Sequence, residues 1–189
     1  MSEKTRETDV FYDLRKASFP ADLNAVRTLF TEYTSTLGID LSYQNYQDEL
    51  ANLPGKYDAS SSGTIILCFM SPTSNCMSEC IVGCAAVRAF PSRPSACELK
   101  RFYLVPEARG CGLGRKLLEQ VVTDAKALGY KEILLDTLAH MGAARGMYRS
   151  FGFEEVEKYY DTPIEGTIFM KLDLEDKSEL IESNKNLVA

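Results

Sequence analysis

The feature that most limits what this chain can fold into is a strand, a glycine-rich loop and a helix in direct succession. Residues 97–105 are rich in β-formers, and the loop after them reads Pro106-Glu107-Ala108-Arg109-Gly110-Cys111-Gly112-Leu113-Gly114-Arg115. Residues 112–128 then repeat Leu113, Leu117, Val121 and Ala125 at helical spacing, before Gly129 closes the helix. Glycines in such a loop let the backbone approach a ligand closely. The free N–H groups of the next helical turn, with the roughly half positive charge that the helix dipole places there, favour an anion at that end. Arg109, Arg115 and Lys116 add positive charge, and a diphosphate is the ligand such a loop suits. Two familiar phosphate loops do not fit. There is no Gly-x-x-x-x-Gly-Lys, and a Gly-x-Gly-x-x-Gly begun at Gly110 meets Arg115 where its last glycine belongs. The segment therefore disfavours a nucleoside triphosphate or a nicotinamide dinucleotide.

The rest of the chain alternates strands and helices around this segment. Residues 10–17 predict a strand, and Leu23, Val26, Leu29, Phe30, Tyr33 and Leu37 predict a helix that Gly38 ends. A shorter helix is expected over residues 43–53, followed by a loop marked by Pro54-Gly55 and the serines at 60–62. Residues 64–70 and 80–89 read as a hairpin with a long loop, and Pro91 and Pro94 separate it from the strand at 97–105. Beyond the central helix come a strand at 131–136, a helix at 142–150, and strands at 153–158 and 167–174. The 189 residues suit one domain, expected over residues 8–174 with a polar tail at 175–189. A domain of that size buries roughly 70% of its unfolded surface.

Composition narrows the partners. Acidic residues outnumber basic ones, 27 to 21, which argues against a nucleic-acid partner gripped through its phosphates. The six cysteines, at 68, 76, 80, 84, 97 and 111, fall largely in strand-like runs and read as reduced, small hydrophobes. Cys76, Cys80 and Cys84 contain no Cys-x-x-Cys pair, and the single histidine is distant, so no metal is expected. The first ten residues lack the apolar core of a signal peptide, and no apolar run approaches the ~18 residues of a membrane span. The expected location is the cytoplasm, with the nucleus left open, and no membrane partner is expected.

Three motifs in order carry a resemblance. The loop matches Gln/Arg-x-x-Gly-x-Gly/Ala through Arg109, Gly112 and Gly114. Before it stands the strand Glu98-Leu99-Lys100-Arg101-Phe102-Tyr103-Leu104-Val105, and after the next strand comes Ala144-x-x-x-Tyr148-x-x-x-Gly152-Phe153. Over about residues 80–174 the chain resembles the Gcn5-related N-acetyltransferase (GNAT) superfamily. The resemblance implies an α/β (α+β) fold. It has a mixed sheet of about six to seven strands, splayed between the fourth and fifth and flanked by about four helices. It also implies an acyltransferase with acetyl-coenzyme A as co-substrate, and family members often pair as homodimers.

By the same resemblance, Phe102, Tyr103 and Leu104 supply backbone contacts to the pantetheine arm. Thr137, Ala144 and Met147 line its other side, and Arg109, Gly110, Cys111, Gly112, Leu113, Gly114 and Arg115 hold the diphosphate. An alkylamine, of pKa near ~10.4, must lose a proton before attacking the thioester, and Glu98 stands where some members place a catalytic glutamate. Strand alternation predicts that Glu98 shares a face with Phe102 and Leu104. Two other readings stay open for it: a solvated strand-end carboxylate, or a group that binds the ammonium without taking its proton. His140 is a second candidate base. Tyr148 matches the family's acid for the departing thiolate, its alternative being simple packing beside the coenzyme, and the oxyanion is assigned to a strand N–H at Leu104.

The acceptor pocket is expected from Tyr33, Leu37, Tyr43, Tyr46, Phe90, Tyr159 and Tyr160, with Arg88 and Arg93 beside Phe90 as holders of a substrate carboxylate. These point to direct acetyl transfer to the primary amine of a small molecule such as an amino acid. Peptide or protein N-acetylation and a non-catalytic acyl-coenzyme A sensor remain as alternatives.

Overall fold

The computed structural model describes residues 12–39, 44–70 and 80–175. Tyr43, Cys76 and the tail beyond residue 175 lie outside them. Among the described residues there are seven strands: β1 (Tyr12–Lys16), β2 (Thr64–Met70), β3 (Cys80–Ala89), β4 (Ala96–Leu104), β5 (Glu132–Leu138), β6 (Glu154–Val156) and β7 (Thr167–Asp173). They form one sheet in the order β1-β2-β3-β4-β5-β7-β6. The helices are α1 (Leu23–Leu37), α2 (Tyr46–Ala51), α3 (Leu113–Ala127) and α4 (Gly142–Ser150). All neighbouring strands run antiparallel except β4 and β5, whose parallel pairing requires the crossover that α3 supplies.

Helices cover both faces of the sheet, which explains why β2 reads as an unbroken apolar run, buried from Thr64 to Phe69. On one face Leu113, Leu117, Leu118 and Val121 of α3 pack with Ile66, Val87, Leu99 and Tyr148. On the other, Val26, Leu29 and Phe30 of α1 and Tyr46 of α2 pack with Leu67, Phe69, Ala86 and Tyr103. Each fully buried Leu or Ile contributes about 1.5–3 kcal/mol relative to exposure.

One irregularity in β4 sets up everything near the site. Tyr103 opposes Cys84 and Lys100 opposes Ala86, so Arg101 and Phe102 together face the single residue Ala85. Arg101 sits in the left-handed region with φ 53°. This is a β-bulge, and the extra residue reverses which face each later side chain takes. Glu98 and Lys100 therefore share a face with Tyr103, on the α1 and α2 side, while Phe102 and Leu104 turn to the opposite face. The expectation that Glu98 lies beside Phe102 and Leu104 is corrected by that one residue.

Across the bulge the backbones come very close. A Cβ on Gly83 would stand 2.3 Å from Leu104 Cδ2 and 2.6 Å from the Tyr103 carbonyl oxygen. Gly83→Ala is therefore expected to push β3 and β4 apart and to destabilise the protein by about 1–3 kcal/mol, read as a shift in the midpoint of urea unfolding. A midpoint equal to that of the wild type would show that the close approach is not constraining.

Candidate active site

The parallel ladder between β4 and β5 is short. Ala96, Cys97 and Glu98 pair with Glu132, Ile133 and Leu134, and pairing stops there. Beyond it the strands part, leaving Phe102, Tyr103 and Leu104 on one side of a gap and Thr137 and Leu138 on the other. An outer cleft of about 580 Å³ is lined by Phe102, Tyr103, Leu104, Arg109, Gly110, Gly112, Gly114 and Arg115, and from α4 by Ala144 and Met147. A smaller chamber of about 60 Å³ shares Tyr33, Leu37, Phe102, Met141 and Ala144 with this cleft. It reaches through the gap from Tyr148 and Leu135 on one face of the sheet to Lys100 and Asp136 on the other.

At the outer end of the cleft α3 begins without a side-chain cap, so its first N–H groups have no capping partner. Gly112 precedes it with φ 81°, a conformation that costs an L-residue about 1–2 kcal/mol. Gly114 faces inward: a Cβ there would lie 3.4 Å from Met147 Sδ, across the cleft. Of the basic residues expected to help, Arg109 donates Nε to the Leu104 carbonyl at 2.9 Å and stacks over Tyr103. Arg115 pairs with Glu119 and lies over Phe151. Lys116 turns away, onto the ring of Tyr12 on β1. Leu113 sends its side chain into the core, and Cys111 is exposed with its thiol donating to the Ala108 carbonyl.

Tyr148 is 6% exposed, packed edge-on against Phe102 and beside Phe153, and lines the inner chamber together with Thr137. Burial, with Tyr33 and Asp136 nearby, raises its phenol well above the ordinary tyrosine value. The hydroxyl therefore keeps its proton across any working pH. His140 is exposed and lines the outer cleft, away from the chamber.

Glu98 is not a solvated carboxylate. It is 1% exposed, and both its oxygens are occupied: Oε2 accepts from Arg88 at 2.8 Å and Oε1 lies 2.9 Å from the Lys100 ammonium. Lys100 continues to Asp136, and Arg88 lies 3.7 Å from Glu49, which in turn holds Arg101 at 2.8 Å. Three cations and three anions thus form one buried chain across the α1 and α2 side of the sheet. Lys100, Arg101 and Asp136 line the chamber, whereas Glu98 does not. Arg88 is engaged by Glu98, and Arg93 by Glu132 at the start of β5; neither lines the chamber.

Phe90 stacks on Tyr159 and lines a separate groove with Arg93 and Lys158. Tyr46 packs over the Arg101 guanidinium, and Tyr160 over the Lys100 ammonium. Of the aromatic residues expected around the acceptor and described here, Tyr33 is the one that lines the chamber. The chamber's charged wall escaped the reading of the sequence. Its signal was three charged residues, Glu98, Lys100 and Arg101, inside a strand that is otherwise apolar and buried.

Residues 23–153 match the family model described as acetyltransferase (GNAT) family. The chain belongs to that family. This GNAT acyltransferase is 37% identical over 155 residues to an uncharacterized N-acetyltransferase of Schizosaccharomyces pombe, covering 82% of this chain and 90% of the other. Its fold is that of a GNAT acetyltransferase from Staphylococcus aureus, with a TM-score of 0.68, 19% identity and coverage of 87% of this chain and 100% of the other. A Salmonella typhimurium acetyltransferase solved with its cofactor acetyl-coenzyme A superposes with a TM-score of 0.62 at 19% identity, covering 88% and 96% of the two chains. No helix among the described residues of this GNAT protein is long and apolar enough to cross a membrane.

Asp136 gives the buried chain a pH signature. Burial alone would raise its carboxyl, but the Lys100 ammonium and a hydrogen bond from Tyr160 outweigh it and hold it below the usual value of 3.8. A lowered folded-state value means that the unfolded chain binds more protons in this window. The contribution is thus present above the unfolded value and lost as pH falls through the folded one. Unfolding free energy, measured in urea from about pH 5 down to about pH 3, should fall more steeply for the wild type than for Asp136→Asn. Parallel slopes would contradict the pairing.

Proposed function

We propose that the protein transfers the acetyl group of acetyl-coenzyme A directly to the primary amine of a small molecule such as an amino acid. The observation that carries this is the parting of β4 from β5, because it joins an anion-binding helix start to a polar chamber through one continuous gap. A pantetheine arm laid along Phe102, Tyr103 and Leu104 would meet a strand edge that β5 leaves unpaired. Its diphosphate would rest on the N–H groups of Leu113, Gly114 and Arg115, where the α3 dipole favours negative charge. Cys111 fits this only through its backbone, since its thiol is engaged on Ala108.

The acetyl group would then lie in the chamber beside Tyr148. Among the described residues no cysteine lines that chamber, and burial pushes the thiols of Cys68 and Cys97 up to about 12. This favours attack by the amine itself over a thioester on the enzyme. The nitrogen attacks the carbonyl carbon, the oxyanion is met by the Leu104 N–H, and the carbon–sulfur bond breaks. An acceptor that arrives as an ammonium first gives one proton to water; after attack a second proton leaves nitrogen, and one ends on sulfur. A thiol has a pKa near ~8.5, below that of a tyrosine even before burial, so full transfer from Tyr148 to the thiolate runs uphill by about 1.4 kcal/mol per unit. Tyr148 serves best as a hydrogen-bond donor that stabilises the departing sulfur. Glu98, fixed between Arg88 and Lys100, acts as a positioning residue for the chamber's charged wall.

Release of free thiol from acetyl-coenzyme A, followed with a panel of amino acids, polyamines, aminoglycosides and peptides, tests the reading. One small amine should drive it, and Tyr148→Phe should lower kcat by about 10²-fold while leaving coenzyme affinity unchanged. Peptide-only turnover would favour protein acetylation, and tight coenzyme binding with no turnover a sensor. Gly114→Val, which closes the space between Leu104 and Met147, should weaken coenzyme binding at least about tenfold in calorimetry, a loss of about 1.4 kcal/mol. Undiminished affinity would place the coenzyme elsewhere.

A further inference from the structure

Arg101 is a cation of the buried chain with a buried nitrogen left without a hydrogen bond. It is 3% exposed, lines the inner chamber, and donates Nε to Glu49 at 2.8 Å. Its Nη2 is buried and has no partner among the described residues. A buried charged donor left unpaired costs free energy, and a guanidinium is built to bind a carboxylate through two parallel N–H groups. The position compounds the cost. Arg101 occupies the left-handed conformation of the bulge, where glycine is the residue of least strain. Tyr33 and Tyr46 lie against the guanidinium, with ring centroids 6.0 Å and 5.1 Å from its carbon. The neighbouring cations are differently placed: Lys100 is shared by Glu98 and Asp136, and Arg88 by Glu98 and Glu49.

We infer that the acceptor carries a carboxylate a few bonds from its amine, and that Arg101 binds that carboxylate while Asp136, on the facing strand, receives the ammonium. The inference rests on the N-acetyltransferase reading above and narrows its substrate to short amino carboxylates. Charge balance supports it. Glu49, Glu98 and Asp136 already cancel Arg88, Lys100 and Arg101. A simple alkylammonium would add one uncompensated positive charge to this small chamber, and a lone carboxylate one negative charge, whereas a zwitterion adds neither. Size supports it too. The chamber has about 60 Å³ for water-sized occupants, room for only a few waters at about 10–15 Å³ each. An amino group and a carboxylate joined by one or two carbons fit such a space, and a longer side chain would have to run out toward the outer cleft.

The test compares each amino acid with its own amide, first by binding and then by turnover. Binding to the coenzyme A complex of the full chain is read by calorimetry, which needs no catalysis. The best amino acid should bind at least tenfold tighter than its amide and show at least tenfold higher kcat/KM in thiol release. Arg101→Gln should erase that preference through KM, with coenzyme affinity unchanged, and Arg101→Lys should restore part of it. Because Arg101→Gln leaves Glu49 without its closest partner, Glu49→Gln/Arg101→Gln provides a second variant with the buried pair removed together. An amide that binds as well as its acid, no binding by any amino acid, or equal losses for acid and amide in the variants would overturn the inference. If amino acids bind with the expected preference and yet no amine releases thiol, the acetyl-transfer reading fails while the recognition stands.

Discussion

The extra residue in β4 is the constraint on which the rest of the molecule depends. Inserted at Arg101, it bends the strand just past its last pairing with β5 and reverses the facing of every later side chain. Were β4 regular, Phe102 and Leu104 would fall on the α1 side with Glu98 and Lys100. As built, Phe102 packs on Tyr148 and Leu104 on α3, while Tyr103 stays with Tyr33 in the opposite core. The gap then opens to both faces. One face offers a helix start suited to a diphosphate, and the other offers a wall of charges.

That wall is held by mutual compensation. Six charged side chains, none more than 19% exposed, link α2, β3, β4 and β5 in a single chain of contacts. Removing one member of a buried pair leaves a charge without a partner and costs several kcal/mol, so such a cluster ties the strands to one arrangement more than it adds net stability. It also gives the chamber a defined field, with Asp136 held ionised and Arg101 set against the rings of Tyr33 and Tyr46.

Elements with a strong period were legible from the residues. The helix from Leu23 to Leu37 and the strands at 64–70 and 80–89 follow from apolar spacing bounded by glycine, proline and serine. The segment from Arg109 to Arg115 was legible as a glycine-rich turn into an uncapped helix start, the local geometry that an anion site needs. What escaped was the consequence of one residue. A bulge carries no composition of its own when arginine rather than glycine occupies its left-handed position, so alternation placed Glu98 on the wrong face. Arg88 looked like a free loop cation for the same kind of reason: its partner Glu98 is ten residues away in sequence but directly opposite in the sheet. The roles of Phe90 and Tyr159 depended on where the connection between β6 and β7 lies, and no local pattern specifies that.

On the function proposed above, acetyl-coenzyme A occupies the gap between β4 and β5 with its diphosphate at the start of α3. Titrating acetyl-coenzyme A into ¹⁵N-labelled protein and following the backbone amides tests it most directly. The largest shifts are expected at Phe102, Leu104, Leu113, Gly114 and Arg115, with Tyr103 and the residues flanking Ala144 also affected. Shifts centred on the groove between Phe90 and Lys158, with the amides at the start of α3 unmoved, would contradict it.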